Sequence, residues 1–400
     1  MRLAWFTPLP PMPSGISDYS AELLPLLAER AEVEVFCPPS ARRLHAPAGI
    51  AVRSPEAFDP SAFDATVYHL GNNPQHGFIY ETALRHPGIC VFHDLSLHHL
   101  IAHLMIEDGW DPARYRALCA EELGPGDGGR LAALMLSGAT SGFEKFLFPL
   151  IGRSARRASA IVVHSRWGRE RIRMVAPDVP VAVIPHHAGV PPPELDGVGR
   201  AEARRALGIP AEGFLVGHFG FLGAEKQPRA VLGGLAHLRR SDRQARLLVV
   251  GADHTGGGLA RAARTAGVAE AVRTTGFVSL TEFYRALRAV DAVVNLRYPT
   301  AGESSGTLAR ALAESRAVIV NRLHVFAELP DEVALKVEVD GPQAEQVGAH
   351  LARLASDPAF RAGMESRAGD HAATTLDPRA CRDAYLSLAE RVSAPGLMVR

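Results

Sequence analysis

The sequence predicts two doubly wound α/β domains, each built on a parallel sheet, and three observations carry this prediction. Short apolar segments alternate with segments of helical periodicity along most of the chain, which is the pattern of repeated βαβ units. The apolar segments have no polar face, as expected of parallel strands covered by helices on both sides. A Pro/Gly-rich segment at 189–200 interrupts the alternation, which indicates a linker between two halves.

Each half supplies its own set of predicted elements. In the first half, strands are predicted at 3–7, 33–37, 65–70, 88–94, 160–165 and 181–186, with a helix at 16–30 and a mostly helical insertion at 95–150. In the second half, the predicted strands are 214–221, 246–252, 272–278, 292–299, 317–321 and 334–339. Helices at 228–239, 256–267, 281–289, 304–315, 342–355 and 357–368 separate them. We therefore predict domains at 1–188 and 189–375, with a final helix at about 376–395 that packs back on the first domain.

Composition excludes several classes of protein. The chain has 400 residues, 47% of them apolar, with 43 basic and 43 acidic side chains. This excludes a disordered chain and a nucleic-acid partner bound by bulk electrostatics. The four cysteines are scattered, which supports neither a disulfide framework nor a zinc knuckle. With no signal-peptide pattern at 1–11 and no apolar run long enough to span a membrane, we expect a cytoplasmic protein.

Candidate site residues are those that follow the strands, because ligands of open α/β sheets bind at the carboxyl ends of the strands. After the first strand, Ser14 and Gly15 precede a helix whose free N–H groups suit an anion. His93 and Asp94 end a later strand, where a histidine can act near neutral pH. His99 and His103 have the spacing of zinc ligands but lack the glutamate and a further ligand, so no metal is expected.

The second half offers a phosphate site in two loops. Gly220 and Gly223 permit a tight loop that places Lys226, one of only three lysines, near the start of a helix. The second loop follows a strand that contains Arg297, and it supplies Glu303 and then a small-residue helix start at Ser304, Ser305, Gly306 and Thr307. A glutamate repels phosphate, so Glu303 is better suited to accept hydrogen bonds from sugar hydroxyls.

In their order and spacing, these features resemble the retaining GT-B glycosyltransferases of the glycogen-synthase-like, mannosyltransferase-rich group, glycosyltransferase family 4. The resemblance extends over nearly the whole chain. It includes the loop with Gly15, the strand ending in His93-Asp94, and the segments IVVHSRWGRERI, VAVIPHHAGV, FGFLGAEKQ, LLVVGA and TTGFV with the loop around Glu303.

The resemblance implies a fold, a reaction and residue roles. It implies a GT-B fold, with the donor nucleotide-sugar, GDP- or UDP-linked, in the second domain and a hydroxyl acceptor in the first, without a bound metal. Lys226 would stabilise the departing diphosphate, Glu303 would hold the donor sugar, and His93 would line the acceptor side. Gly15 would allow the first loop to approach the diphosphate, and the backbone of Phe277 and Val278 would meet the base.

Two positions depart from the family pattern. Phe221 stands where relatives often have an arginine after the glycine of the loop. The second glutamate of Glu-x7-Glu, which usually meets the ribose, is missing, and Arg310 and Ala311 occupy its place. We hypothesise that Arg297 restores the lost positive charge.

A basic stretch follows an aromatic segment at 143–151. Its arginines are Arg153, Arg156, Arg157, Arg166, Arg169, Arg171 and Arg173, against the single acidic Glu170. A basic and aromatic patch suits peripheral contact with the inner membrane face, where relatives act on lipid-linked or glycan acceptors. The alternative is a core helix followed by a solvated one.

The sequence therefore predicts a hexosyltransferase, with surface polysaccharide or glycolipid synthesis as a candidate role. Two alternatives stay open at this point. One is a non-catalytic GT-B homologue that binds a partner or a sugar nucleotide, and the other is a sugar-nucleotide 2-epimerase.

Overall fold

The computed structural model of the protein describes residues 1–12, 14–38 and 47–394. Contacts divide the chain into two compact units. The first unit contains Met1–His186, Ala301–Ser304 and the segment from Pro378 onward, and the second unit contains His187–Thr300 and Ser305–Asp377. None of the described helices is both long and apolar enough to cross a bilayer.

The described strands of the first unit form one parallel seven-stranded sheet in the order β3-β2-β1-β4-β5-β6-β7. They are β1 (Arg2–Phe6), β2 (Glu32–Phe36), β3 (Ala51–Arg53), β4 (Ala65–Leu70), β5 (Ile89–Phe92), β6 (Ala160–Val163) and β7 (Val181–Val183). Leu3 of β1 pairs with Val33 on one side and with Ala65 on the other. The strand order reverses between β1 and β4, which is where ligands of such sheets bind.

Helices cover both faces of this sheet. They are α1 (Gly15–Ala28), α2 (Gly77–Arg85), α3 (His98–Ala102), α4 (Pro112–Leu136), α5 (Glu144–Leu147), α6 (Gly152–Arg157) and α7 (Arg166–Val175). The long helix α4 is interrupted at Gly124, whose φ of 79° lies in the left-handed region and precedes Pro125. Glycine adopts that conformation without a steric penalty, and proline cannot continue the hydrogen-bond ladder, so the helix kinks there.

The second unit repeats the architecture with a six-stranded parallel sheet in the order β10-β9-β8-β11-β12-β13 among the described residues. The strands are β8 (Leu215–Phe219), β9 (Arg246–Val250), β10 (Val272–Thr274), β11 (Ala292–Asn295), β12 (Ala317–Asn321) and β13 (Ala334–Val337). Its strand order reverses between β8 and β11. The loops after these two strands are therefore the expected ligand site of this unit.

The helices of the second unit lie between these strands and after them. They are α8 (Arg200–Ala206), α9 (Pro228–Leu238), α10 (Gly258–Thr265), α11 (Leu280–Ala289), α12 (Gly306–Ala313), α13 (His324–Ala327), α14 (Gln343–Ser356) and α15 (Pro358–Thr375). A capping box at Ser279 and Glu282 starts α11, since each residue satisfies a backbone N–H of the other.

A last helix, α16 (Pro378–Ser393), belongs to the first unit. Its buried residues Cys381, Tyr385 and Leu388 join the core formed by α1 and one face of the first sheet. The Tyr19 hydroxyl donates to the Tyr385 hydroxyl at 3.0 Å. The helix thus completes the core of the first unit.

The predicted fold class is confirmed: both units are α/β with doubly wound parallel sheets. The edge strand β3 was not predicted. It has only three residues, none of them buried, and its pairing with β2 rests on backbone hydrogen bonds. An edge strand of this length leaves no hydrophobic periodicity to read.

Candidate functional site

One of the two lysines of the second unit, Lys226, lies at the reversal point of its sheet. Lys226 ends a single 3-10 turn, Ala224–Lys226, in the loop after β8 and is buried. Its Nζ donates to the carbonyl oxygen of Phe219, the last residue of β8, at 3.0 Å. Gly220 has a φ of 92°, and a Cβ there would overlap Nζ and lie 3.4 Å from Oγ1 of Thr307. The ammonium of Lys226 and the hydroxyl of Thr307 therefore border the same volume.

Arg297 adds a second positive charge near Lys226 at the reversal point of the second sheet. Arg297 follows β11, and its backbone N–H donates to Oδ1 of Asn321 at 2.6 Å. Burial, followed by the positive charges of Lys226 and Arg297, lowers the pKa of His218 in β8 to about 4. Because both cations act on one buried imidazole, the reversal point of the second sheet is electropositive. Residues at such a point are suited to a diphosphate.

The start of α12 uses its predicted residues in a specific way. Ser305 is the N-cap: its Oγ accepts from the Leu308 N–H at 3.2 Å and donates to Oδ1 of Asn295 at 3.1 Å. No partner for Nδ2 of Asn295 or Oγ of Ser304 is found among the described residues. Nδ2 of Asn295 is thus a polar group of the second unit that can bind a ligand beside the helix start, whereas the hydroxyl of Ser305 already has a structural role. Gly306 is the first residue of the helix.

The loop with Glu303 contacts the first unit, whereas the residues from Ser305 onward contact the second unit. Residues 301–304 belong to the first unit by their contacts. The Leu95 N–H donates to the Ala301 carbonyl at 2.8 Å, and Gly302 lies against Trp167 and Leu95 with no space for a Cβ. Glu303 and Lys226 were both predicted for the site, and the structure assigns them to different units.

Aromatic rings follow three adjacent strands of the second sheet, β8, β9 and β10. Phe221, after β8, stacks on His254, after β9, with ring centroids 5.6 Å apart. Phe221 also stacks on Phe277, after β10, at 6.2 Å. Phe277 is 68% exposed, whereas the next residue, Val278, packs against the core. At Gly223, the atoms nearest to a Cβ would be those of the Glu225 carboxylate.

In the first unit, histidines follow or end neighbouring strands. His69 lies in β4, His93 follows β5, and His164 follows β6. Nδ1 of His69 lies 2.8 Å from Nε2 of His93, and Nδ1 of His93 lies 3.2 Å from Nε2 of His164. Nδ1 of His164 donates to the Ile184 carbonyl at 2.8 Å. The three imidazoles therefore form a hydrogen-bonded chain along the carboxyl edge of the sheet.

The Ile184 carbonyl, at the end of this row of hydrogen-bonded histidines, determines which ring nitrogen of each histidine carries the proton. A carbonyl oxygen only accepts, so Nδ1 of His164 carries the proton and its Nε2 accepts from His93. His93 is then protonated on Nδ1 and accepts from His69 on Nε2. Burial lowers the pKa of His164 to about 4. Burial, with the neighbouring histidines, holds the pKa of His93 well below its usual value. Both ring nitrogens of His93 are thus hydrogen bonded to other histidines.

Of the remaining predicted residues of the first unit, Ser14 and Asp94 have local structural roles. Ser14 is the N-cap of α1, with Oγ accepting from the Ile16 N–H at 3.2 Å. Gly15 is exposed, and a Cβ there would meet no atom within 4 Å, so packing within the protein does not require glycine. Oδ2 of Asp94 accepts from the Asn72 N–H at 2.7 Å.

The histidines considered for zinc make other contacts. Nδ1 of His99 lies 3.0 Å from Nδ2 of Asn72, and His103 pairs with Glu107 at 3.7 Å. Within the described part of the chain, no set of three or more His, Cys, Asp or Glu side chains is arranged to hold a metal ion.

The basic stretch is partly neutralised. Arg153 pairs with Glu121, and Arg156 pairs with Glu121 at 3.0 Å and with Glu122 at 3.5 Å. Arg173 pairs with Glu170 at 3.4 Å. The positive charge available to a membrane surface is therefore smaller than the count of arginines indicates. Membrane contact stays a prediction.

The sequence reasoning missed His69, His164, Asn295 and Asn321. Each is a polar residue at or just after the end of an otherwise apolar strand segment: YHL, VHS, VVN and VIVN. That pattern was available in the sequence, and it is the signal that selected His93.

Comparisons with known proteins give the fold. No protein-family profile matches the chain. Over 180 residues the chain is 32% identical to D-inositol 3-phosphate glycosyltransferase of Corynebacterium urealyticum, a match that covers 43% of this chain and 42% of that relative. The matched region is thus less than half the length of that curated relative.

Solved structures match over the whole chain. Sucrose-phosphate synthase from Thermosynechococcus elongatus aligns with a TM-score of 0.70 at 14% identity, covering 98% of this chain and 99% of that one. HepE of Anabaena, solved with UDP and glucose, aligns with a TM-score of 0.64 at 15% identity, covering 98% of this chain and 100% of that one. WaaG, a glycosyltransferase of lipopolysaccharide biosynthesis, aligns with a TM-score of 0.63 at 14% identity, covering 97% of this chain and 99% of that one. The two Rossmann-like units of this chain have the fold of the GT-B glycosyltransferases.

Proposed function

We propose that the protein is a glycosyltransferase that moves a hexose from a nucleotide-diphosphate sugar to a hydroxyl acceptor, with retention at the anomeric carbon and without a bound metal. One observation carries the proposal. Lys226 is buried at the reversal point of the second sheet, and its charge and that of Arg297 both act on His218. This is the placement that a diphosphate requires.

The chemical step of the reaction requires the departure of the diphosphate, which gains negative charge as the C–O bond at the anomeric carbon breaks. A fixed cation that is partly removed from water stabilises this charge more strongly than a solvated one. Lys226 is held by the Phe219 carbonyl, so little reorganisation is needed as the charge develops. Lys226 and Arg297 would together supply the positive charge that other transferases take from a metal ion.

The other predicted residues would orient the two substrates. Glu303 would accept hydrogen bonds from the donor sugar, and Gly306 and Thr307 at the start of α12 would meet the phosphates. Gly15 would allow the N-terminus of α1 to approach the diphosphate. His93, held on both nitrogens by other histidines, would provide a rigid wall on the acceptor side.

Retention needs either a nucleophilic carboxylate or attack from the face that the leaving group vacates. Asp94 adjoins His93, and its Oδ2 already accepts a hydrogen bond from Asn72, which weakens it as a nucleophile. We therefore favour same-face attack by the acceptor hydroxyl through an ion-pair-like state.

The donor would be a UDP- or GDP-linked hexose. HepE was solved in complex with UDP-glucose, which makes that sugar nucleotide a suitable first substrate, and the resemblance to family 4 adds GDP-mannose. The acceptor would be a hydroxyl of a glycan or of a lipid-linked molecule. Contact with the inner membrane face through 143–173 would bring the enzyme to the latter.

The proposal is tested by measuring nucleotide release from a panel of UDP-, GDP- and ADP-sugars, with and without added acceptors. Lys226→Met removes the charge and keeps the length of the side chain, and we expect turnover to fall about 100-fold or more. Lys145→Met is the matched control, because Lys145 pairs with Glu107 in the first unit.

The outcomes separate the transferase from the non-catalytic homologue. Turnover that needs Lys226 and does not need Lys145 supports the transferase. Binding of a sugar nucleotide without turnover would instead support a non-catalytic homologue. Wild-type turnover in Lys226→Met would contradict the role given to this lysine.

A further inference from the structure

The rings of Phe221, His254 and Phe277 follow the carboxyl ends of three adjacent strands, β8, β9 and β10. That edge of the sheet is the ligand-binding edge. Phe221 stacks on both other rings, at 5.6 and 6.2 Å, with interplanar angles of 22° and 18°. Phe221 is therefore the ring that links the other two, and we call the three rings the aromatic platform.

The platform is held by backbone pairing that continues beyond the strands. The Leu222 N–H donates to the Ala252 carbonyl at 2.9 Å, and the His254 N–H donates to the Leu222 carbonyl at 2.9 Å. The Gly251 N–H donates to the Gly276 carbonyl at 3.0 Å. Leu222 is fully buried, which anchors the loop directly after Phe221. The rings are therefore positioned before any ligand arrives.

The outermost ring faces solvent. Phe277 is 68% exposed, more than any other phenylalanine in the described part of the chain. A large exposed apolar ring that is backed by a second ring offers a flat face to a flat ligand. A purine or pyrimidine base matches such a face, because stacking on an aromatic side chain does not depend on the hydrogen-bonding pattern of the base.

The position also suits a nucleotide. Lys226 and Phe221 lie in the same loop after β8, and Phe277 lies two strands away. Neighbouring strands are roughly 4.8 Å apart, so the ends of β8 and β10 are separated by about 10 Å. A ribose bridges a comparable distance between a base and its diphosphate.

We propose that the aromatic platform binds the nucleobase of the donor by stacking, with Phe277 in direct contact and Phe221 behind it. This inference rests on the proposed function and adds to it the residues that select the donor. Relatives often have an arginine at the position of Phe221. Here Phe221 instead supports the ring of Phe277. A purine overlaps Phe277 over a larger area than a pyrimidine does, so the platform favours GDP and ADP over UDP.

The test is calorimetric binding of GDP, ADP and UDP to the full chain, with inorganic pyrophosphate as a probe that lacks a base. We expect Phe277→Ala to weaken the binding of nucleoside diphosphates about 10- to 100-fold, with the larger loss of affinity for GDP and ADP. Pyrophosphate binding should change less than about twofold, since the cationic side of the site is intact. Phe277→Tyr keeps the ring and should keep the affinity.

Trp110→Ala is the matched control, because Trp110 is a 62% exposed aromatic residue of the first unit. It should leave all four affinities unchanged. Phe277 is exposed, so its replacement should not impair folding, and circular dichroism of each variant checks this.

Two results would overturn the proposal in distinguishable ways. In the first, wild-type protein binds the nucleotides, and Phe277→Ala either binds them equally well or loses affinity for pyrophosphate in the same proportion as for the nucleotides. The platform then does not hold the base, and the proposed function stands. If wild-type protein binds neither nucleotides nor pyrophosphate, the proposed function fails and this proposal fails with it.

Discussion

Gly220 and Lys226 occupy adjoining space so closely that a Cβ on Gly220 would overlap Nζ of Lys226. We therefore expect Gly220→Ala to displace the ammonium and to weaken binding of a nucleoside diphosphate by about 10-fold or more. Gly267→Ala is the control for backbone strain, because Gly267 has a similar positive φ of 68° and open space around its Cβ position. Both variants should lose about 1–2 kcal/mol of stability. An equal loss of binding in both would refute the steric explanation.

Arg297 and Lys226 both lower the pKa of His218. Removal of either charge by Arg297→Ala or Lys226→Met should therefore raise this pKa from about 4 toward its ordinary value. Lys226→Met should give the larger change, since Lys226 is the stronger of the two causes. Histidine NMR titration measures the pKa without any substrate. Arg297→Ala should also weaken nucleotide binding, and Arg297→Lys should recover part of the loss. If Arg297→Ala leaves both quantities as they are, Arg297 does not supply the missing charge.

Lys336 provides a contrast to Lys226. Its Nζ donates to the carbonyl oxygens of Phe326 at 3.1 Å and Ala327 at 3.4 Å, at the end of α13, and to that of Leu329. Lys336→Met leaves these buried acceptors without their donor, so we expect a loss of about 1–3 kcal/mol in the free energy of unfolding. Nucleotide affinity should not change. Urea denaturation and calorimetry give the two numbers, and a weakened affinity in a folded variant would assign Lys336 a role in binding.

The buried histidines predict a steep loss of stability in acid. Burial lowers the pKa of His76, His98, His164 and His218 to about 4, below the roughly 6.5 of an unfolded chain. The unfolded state therefore takes up protons first, and stability is lost as the pH falls from about 6.5 to about 4. Each histidine contributes up to about 1.4 kcal/mol per pH unit.

One substitution tests this account. Nδ1 of His76 donates to the His69 carbonyl at 2.8 Å, and His76→Asn keeps an N–H for that bond but cannot be protonated. The slope of the unfolding free energy between about pH 6 and 4.5 should decrease by about one proton. An unchanged slope would show that His76 does not contribute.

The sequence was sufficient for the architecture because the physical cause is local. Strands such as ATVYHL are buried over their whole length, and such apolar runs are visible without any tertiary information. The last helix was visible too, as a periodic segment beyond the second sheet. The edge strand β3 was not, because an exposed three-residue strand has no apolar pattern.

The site was predicted less completely, for a different reason. Lys226 stood out as a rare lysine after a glycine loop, and the structure places it, buried, in the loop after β8 at the sheet reversal. The hydroxyl of Ser305, in contrast, is occupied by the helix cap. The pairing of His93 with His69 and His164 joins residues 24 and 71 positions apart. No local pattern can indicate contacts of that kind.

The position of α16 has a consequence for how the protein is made. The core of the first unit includes Tyr385 and Cys381, which contact Tyr19, yet these residues leave the ribosome after the whole second unit. During synthesis the second unit is therefore complete while the N-terminal unit still exposes an apolar surface along α1. A chain cut at 377 would keep that surface exposed, so a fragment that ends at the linker does not contain the whole N-terminal unit.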